Sequence, residues 1–212
     1  MMSISLQITD SVKQIEQRVN KAIADLANEI LSNNLSSIHG SIKSLIPSWI
    51  NSQPEIGSLL SSDPMSLAGQ FGIKDSTLNI VNSIINSVVN ATEIKLIRYS
   101  SSLRGGLEIN FQPANFSNLL SLSEGHSIYN GGDLHWLDWL LKRGDSIIVM
   151  NYQYNPKTGL GRSGLGNMVP GNSFRVPPQF SGTENDNFIT RAFLGQDQEK
   201  QIAKILQDVL EK

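Results

Sequence analysis

The stretch "SVKQIEQRVNKAIADLANEI", residues 11–30, sets Val12, Ile15, Val19, Ala22, Leu26 and Ile30 at intervals of three and four. That period returns apolar side chains to one face of an α-helix. Ser11 followed three residues later by Gln14 is a capping-box start. The same spacing suits a coiled-coil seam. It lasts fewer than about three heptads, which favours packing on a sheet.

Working outward, "NNLSSIHG" reads as a continuation or a turn, and "SIKSLIPSWINS" as a short helix broken near Pro47. Short turns with apolar anchors follow. Asp75 and Ser76 then open a helix with Leu78, Val81, Ile84, Ile85 and Val88 on one face. Its other face, Asn79, Asn82, Ser83, Asn86 and Asn90, has no charge, and a second subunit is expected to cover part of it. "EIKLIRY" and "GLEINFQ" alternate as strands joined by a hairpin, with Leu107, Ile109 and Phe111 on one side. A third strand, "SIIVMNYQY", follows the helical "DLHWLDWLLKRGD". Ile202, Ile205, Leu206, Val209 and Leu210 stripe a terminal helix expected to pack on the sheet. This order predicts an α+β fold, with long N-terminal and C-terminal helices on a small antiparallel sheet.

The 212 residues are read as one domain. Its parts are a first helix over 10–38, a helical insertion over 42–90, a sheet region with a helix over 93–154, an extended arm over 155–187 and a helical segment over 188–212. A net charge of -2 supplies no field to gather nucleic acid. The absence of cysteine removes disulfides, thiolate zinc sites and thiol nucleophiles. No run approaches the roughly 18 apolar residues of a membrane span, and the first residues lack an export pattern, so a soluble chain made inside the cell is expected. Charged residues are only 17%, beside 28 serines and 19 asparagines. A neutral polar surface is covered by a partner at less desolvation cost than a charged one, a tilt toward a subunit of an assembly.

Gly159, Gly161 and Gly164 spell G-x-G-x-x-G after a strand-like run, the pattern of a dinucleotide site. Such a site needs a helix opening at the last glycine, and Leu165 to Gly171 is a poor helix start; a loop without a nucleotide is predicted. Glu124, His126 and Asp133 are candidates for acid/base chemistry, and with His135 they resemble metal ligands only superficially, since no helical ligand spacing exists. In "LHWLDWLLKRGD", Trp136, Leu137, Leu140 and Leu141 are expected in the core, with Trp139, Lys142 and Arg143 outward. The segment 155–187 holds ten glycines and prolines yet keeps Met168, Val169, Phe174, Val176 and Phe180. Too apolar for water and too interrupted for regular structure, it reads as an arm ordered on a neighbouring subunit.

"HWLDWLLKRGDSIIV", "GRSGLGNMV", "FRVPPQFSGT" and "NDNFITRAF" resemble the C-terminal half of small virion structural proteins of tailed bacteriophages. With the long first helix, the layout resembles the neck and tail-completion proteins of the head-tail junction. The resemblance covers mainly Leu134 to Lys212, and the stretch from about Ile42 to Asn90 departs from it as an insertion. It implies a ring subunit in the virion, made in the host bacterial cytoplasm, with no active site, cofactor or metal. Its partners would be its own copies and connector, neck, tail-tube or sheath proteins, with no membrane and no sequence-specific nucleic acid. Expected interface residues are Arg162, Met168, Phe174, Arg175 and Phe180 in the arm, with Trp139 and Arg143. The alternatives are a phage-encoded cell-wall or nucleotide hydrolase using Glu124, His126 and Asp133, and an adaptor domain from outside phage.

Overall fold

The computed structural model describes residues 10–73, 76–129, 131–157 and 161–211. The fold is α+β, with long helices toward both ends of the chain and small two-stranded sheets between them. Helix α1 runs over Val12–Asn51, well past the boundary at residue 38 read from the sequence. Its capping box forms: the Ser11 backbone N–H donates to Gln14 Oε1 at 2.8 Å, and the Gln14 N–H donates to Ser11 Oγ at 3.4 Å. Pro47 lies inside the helix rather than ending it. The missing N–H forfeits one intrahelical bond, and the burial of Ile46, Trp49 and Ile50 around it offsets that loss.

The chain divides into two compact units. The first contains α1 as far as Ile42, the segment Ile94–Ile109 and the chain from Ile202 onward. Strands β1 (Glu93–Ile97) and β2 (Gly106–Asn110) pair as a ribbon, closed by the Ser100 N–H donating to the Arg104 carbonyl at 3.0 Å. The Asn28 amide clamps the ribbon as a strand would, donating to the Tyr99 carbonyl at 3.0 Å and accepting from its N–H at 2.7 Å. On the part of α1 in this unit the buried residues are Ala24, Leu31, Ile38 and Ile42, spaced seven, seven and four. The stripe expected to pack on a sheet is a different one, and Val12, Ile15, Val19 and Leu26 are exposed. The terminal helix likewise buries only part of its stripe: Val209 is covered, Leu206 half-buried and Leu210 exposed.

The second unit comprises Lys43–Glu93 and Asn110–Gln201. It continues with α2 (Pro54–Leu60), α3 (Leu67–Gln70) and α4 (Thr77–Ala91). On α4, Ile80, Val81, Ile84, Ile85 and Val88 are buried, while Leu78, expected inside, is exposed; Asp75 lies outside the described residues. After α5 (Ser117–Leu120), strands β3 (Ser127–Tyr129) and β4 (Gly132–Leu134) pair antiparallel. Helix α6 (Trp136–Leu141) follows with Trp136, Leu137, Leu140 and Leu141 buried as predicted; Phe71 stacks on Trp136 with ring centroids 5.6 Å apart. A second aromatic cluster joins Phe111 and Phe193, stacked at 4.1 Å, with Trp49 edge-on to both.

The described residues of the segment 155–187 pair and pack on their own unit. Strand β6 (Tyr152–Asn155) pairs antiparallel with β7 (Asn167–Pro170), and β5 (Ile147–Val149) with β8 (Phe174–Arg175). Backbone pairing satisfies the interrupted chain, and Phe174 and Val176 are buried within the unit. The chain then closes under α6: the Gly182 N–H donates to the Trp139 carbonyl at 3.2 Å, and Gly182 accepts from the Gly144 N–H at 2.8 Å.

Asn187, fully buried, starts α7 (Phe188–Phe193). Its side-chain oxygen accepts from the N–H groups of Ile189 at 3.1 Å and Thr190 at 3.0 Å, while its amide donates to the carbonyls of Leu141 at 3.3 Å and Thr183 at 2.9 Å. Losing a cap costs about 1 kcal/mol, and each orphaned buried partner about 1–3 kcal/mol. Asn187→Ala should therefore lower stability by about 3 kcal/mol, read from urea unfolding. Asn187→Ser, which keeps a capping oxygen and loses the donors, should fall between the two.

Candidate functional site

The second unit contains a largely apolar cavity of about 570 Å³, walled by Phe71 after α3, Trp139 of α6, Val149 of β5, Tyr154 of β6, Met168 of β7 and Phe174 of β8. The charged residues on its wall are Asp133 and Arg162. Tyr154 is the post around which the wall closes. Its hydroxyl donates to the Pro64 carbonyl at 2.6 Å, and burial raises its pKa above the ordinary tyrosine value, with the Asp63 charge adding to the effect. A Cβ on Gly166 would stand 2.5 Å from that hydroxyl oxygen, so glycine at this position makes room for the ring.

This accounts for part of the glycine pattern. Gly159 and Leu160 lie outside the described residues. Gly164 has φ +75° and donates its N–H to the Gly161 carbonyl at 2.9 Å, a tight turn in the connection between β6 and β7. A strand, not a helix, follows Gly164, so the array of helix N-terminal N–H groups that a dinucleotide site uses is not built here.

Beside the cavity, β3 and β4 bring two of the three predicted acid/base residues together. His126 Nδ1 and Asp133 Oδ2 lie 2.7 Å apart. The His126 ring stacks on His135, with centroids 3.9 Å apart and planes 14° from parallel. Glu124 is engaged elsewhere, accepting from the hydroxyls of Ser83 at 2.8 Å and Ser123 at 3.0 Å. The Ser83 hydroxyl, with the backbone and Ser123, holds its carboxyl below the usual glutamate range. Among the described residues no group of three His, Cys, Asp or Glu side chains is placed to hold a metal ion. None of the described helices is long and apolar enough to cross a membrane.

The expected interface residues are dispersed. Arg162 is exposed at the cavity rim, and Met168 and Trp139 are half-buried on its wall. Phe174, expected at a subunit interface, is instead covered by its own unit. Arg175 is exposed, 3.7 Å from Asp145. Phe180 is half-buried. Arg143 is exposed, pairs with Asp138 and lies 4.9 Å over the Trp139 ring. Sequence reasoning passed over Gln70 and Tyr154 as cavity residues. The signal in "SLAGQFG" was present only as small residues, without a chemistry to mark it.

No protein-family model, no curated protein and no solved structure matches the chain.

His135 yields a pH dependence. Burial, and then the neighbouring His126, depress its pKa below the ordinary 6.5, against smaller opposing effects of Asp138 and Asp133. The unfolded chain therefore binds this proton more readily than the folded one. The stability His135 contributes is present above pH 6.5 and is lost as pH falls through its depressed folded value. The urea midpoint should decline on acidification from pH 7 toward pH 5, and His135→Asn should remove that part of the slope.

Proposed function

We propose that this chain is a structural subunit of a tailed-phage virion, forming an oligomeric ring at the neck, the head-tail junction or the tail end. The observation that carries the reading is the apolar corner between β5 and β6, where Ile147, Met150 and Tyr152 are all exposed. A packed β-corner that presents apolar side chains to water is a surface suited to a neighbour. The chain as a whole is rich in serine and asparagine, neutral polar groups that a partner covers at low desolvation cost. The phrases that resemble neck proteins also lie in one unit, as α6 with β5, β7, β8 and α7. In a head-to-tail ring the corner of one copy meets a different patch of the next.

The test is Met150→Lys together with Tyr152→Lys. Both side chains are exposed, so the variant should unfold at an unchanged urea midpoint yet fail to enter rings or particles, scored by analytical ultracentrifugation and by electron microscopy of assembled particles. Normal incorporation removes the corner from the assembly.

The pairing of His126 with Asp133, the latter on the wall of an apolar cavity, favours a second reading as a hydrolase of cell-wall or nucleotide substrates. That reading requires turnover by the purified chain that Asp133→Asn lowers by orders of magnitude. Inert wild-type protein on both substrate classes ends it.

A further inference from the structure

Helix α1 has two apolar faces, and the described residues cover only one of them. Ala24, Leu31, Ile38 and Ile42 are buried, whereas Val12, Ile15, Val19, Ile23 and Leu26 are between 41% and 82% exposed. The open face carries a seam. Val12, Ile15, Val19, Ala22 and Leu26 alternate by three and four, the spacing at which one helix sets its side chains between those of another.

We propose that a second copy of this chain packs on this seam, antiparallel, with Arg18 of each copy facing the partner's Asp25. The flanking charges select both the partner and its direction. Arg18 and Asp25 are seven residues apart and lie on the same flank of the seam, each just before an apolar seam residue. In a parallel pair that flank meets the opposite flank of the other helix. Arg18 would then face Ile23, and Asp25 would face Ile30, so each charge would meet an apolar side chain. In an antiparallel pair the flank meets itself, and the two-fold axis makes the Arg18–Asp25 match twice. The core layers are then Ile15 on Leu26 and Val19 on Ala22, with the small Ala22 allowing close approach near the axis.

The same charges oppose a slip of register. Moving one helix by a heptad either way sets Arg18 against Arg18 or Asp25 against Asp25, which is repulsive. Glu29 at the next seam position ends the apolar run. The Arg18 side chain is 72% exposed and bonds Asp10 at 2.5 Å, a surface pair that exchanges at little cost. This two-fold contact is independent of the virion reading and of any head-to-tail ring contact, because it uses a surface in the first unit and a different symmetry.

The experiment is sedimentation of the full chain over a concentration series. Wild type should show a two-fold association that Arg18→Asp and Asp25→Arg each weaken by about tenfold, since each change replaces two attractive pairs with two repulsive ones. The double variant R18D/D25R should restore it. Far-UV circular dichroism of all three should match wild type, as both positions are exposed. The chain has no cysteine, so direction is read by oxidation: a mixture of Ile15→Cys and Leu26→Cys chains should cross-link to each other, and Ile15→Cys alone should not. The proposal is overturned if association is unaffected by the single charge variants, if the double variant fails to restore it, or if Ile15→Cys links to itself as readily as to Leu26→Cys. A chain that stays monomeric at every concentration, with the seam covered by a different protein, also overturns it.

Discussion

The second unit depends on one buried amide. Asn187 has no contact with water, so its donors and acceptor must be satisfied inside the protein, and they are met only if α6 ends and α7 begins in fixed register. Its oxygen completes the start of α7, while its nitrogen holds the carbonyls of Leu141 and Thr183. The bridge between Arg143 and Thr183 and the bonds of Gly182 follow from that docking. Together they set the end of α6, and with it Trp139, against the cavity that β5 through β8 enclose.

A second buried polar contact works in the same unit with a different balance. Glu55 is completely buried, and desolvation raises its pKa above the ordinary glutamate value, even though its own backbone and Arg191 oppose the shift. Arg191 also reaches Asp186 at 2.6 Å, so one guanidinium ties α2 to the start of α7. Such an arrangement adds less stability than specificity: apolar packing alone tolerates slippage, whereas an amide or a guanidinium with fixed partners does not. The cavity therefore has walls of apolar residues but a frame set by polar ones.

Apolar side chains stand exposed in both units of a chain with few charged residues. The corner of Ile147, Met150 and Tyr152 belongs to the second unit, and the seam of Val12, Ile15, Val19 and Leu26 to the first. The assembly reading and the two-fold seam draw on these separately. Two of the arm's apolar anchors, Phe174 and Val176, are covered by their own unit.

Periodicity and capping chemistry are local, and what they specify was legible in the amino-acid sequence: the start of α1 at Ser11 and Gln14 and the buried face of α6. So were the residue types of the dyad, His126 and Asp133, which stand seven residues apart, His126 directly before β3 and Asp133 on β4. Tertiary structure alone decided which of two apolar stripes on α1 is buried, because spacing shows that a face is apolar and not what covers it. It also decided the fate of the arm. The pairing of β6 with β7 and of β5 with β8 joins strands across long connections, and the glycines that looked like interruptions are where chain segments approach closely, as Gly166 does beside Tyr154. The cavity arises from the same non-local packing: its wall draws on Phe71, Trp139, Met168 and Phe174, which share no motif and meet only when the second unit has folded.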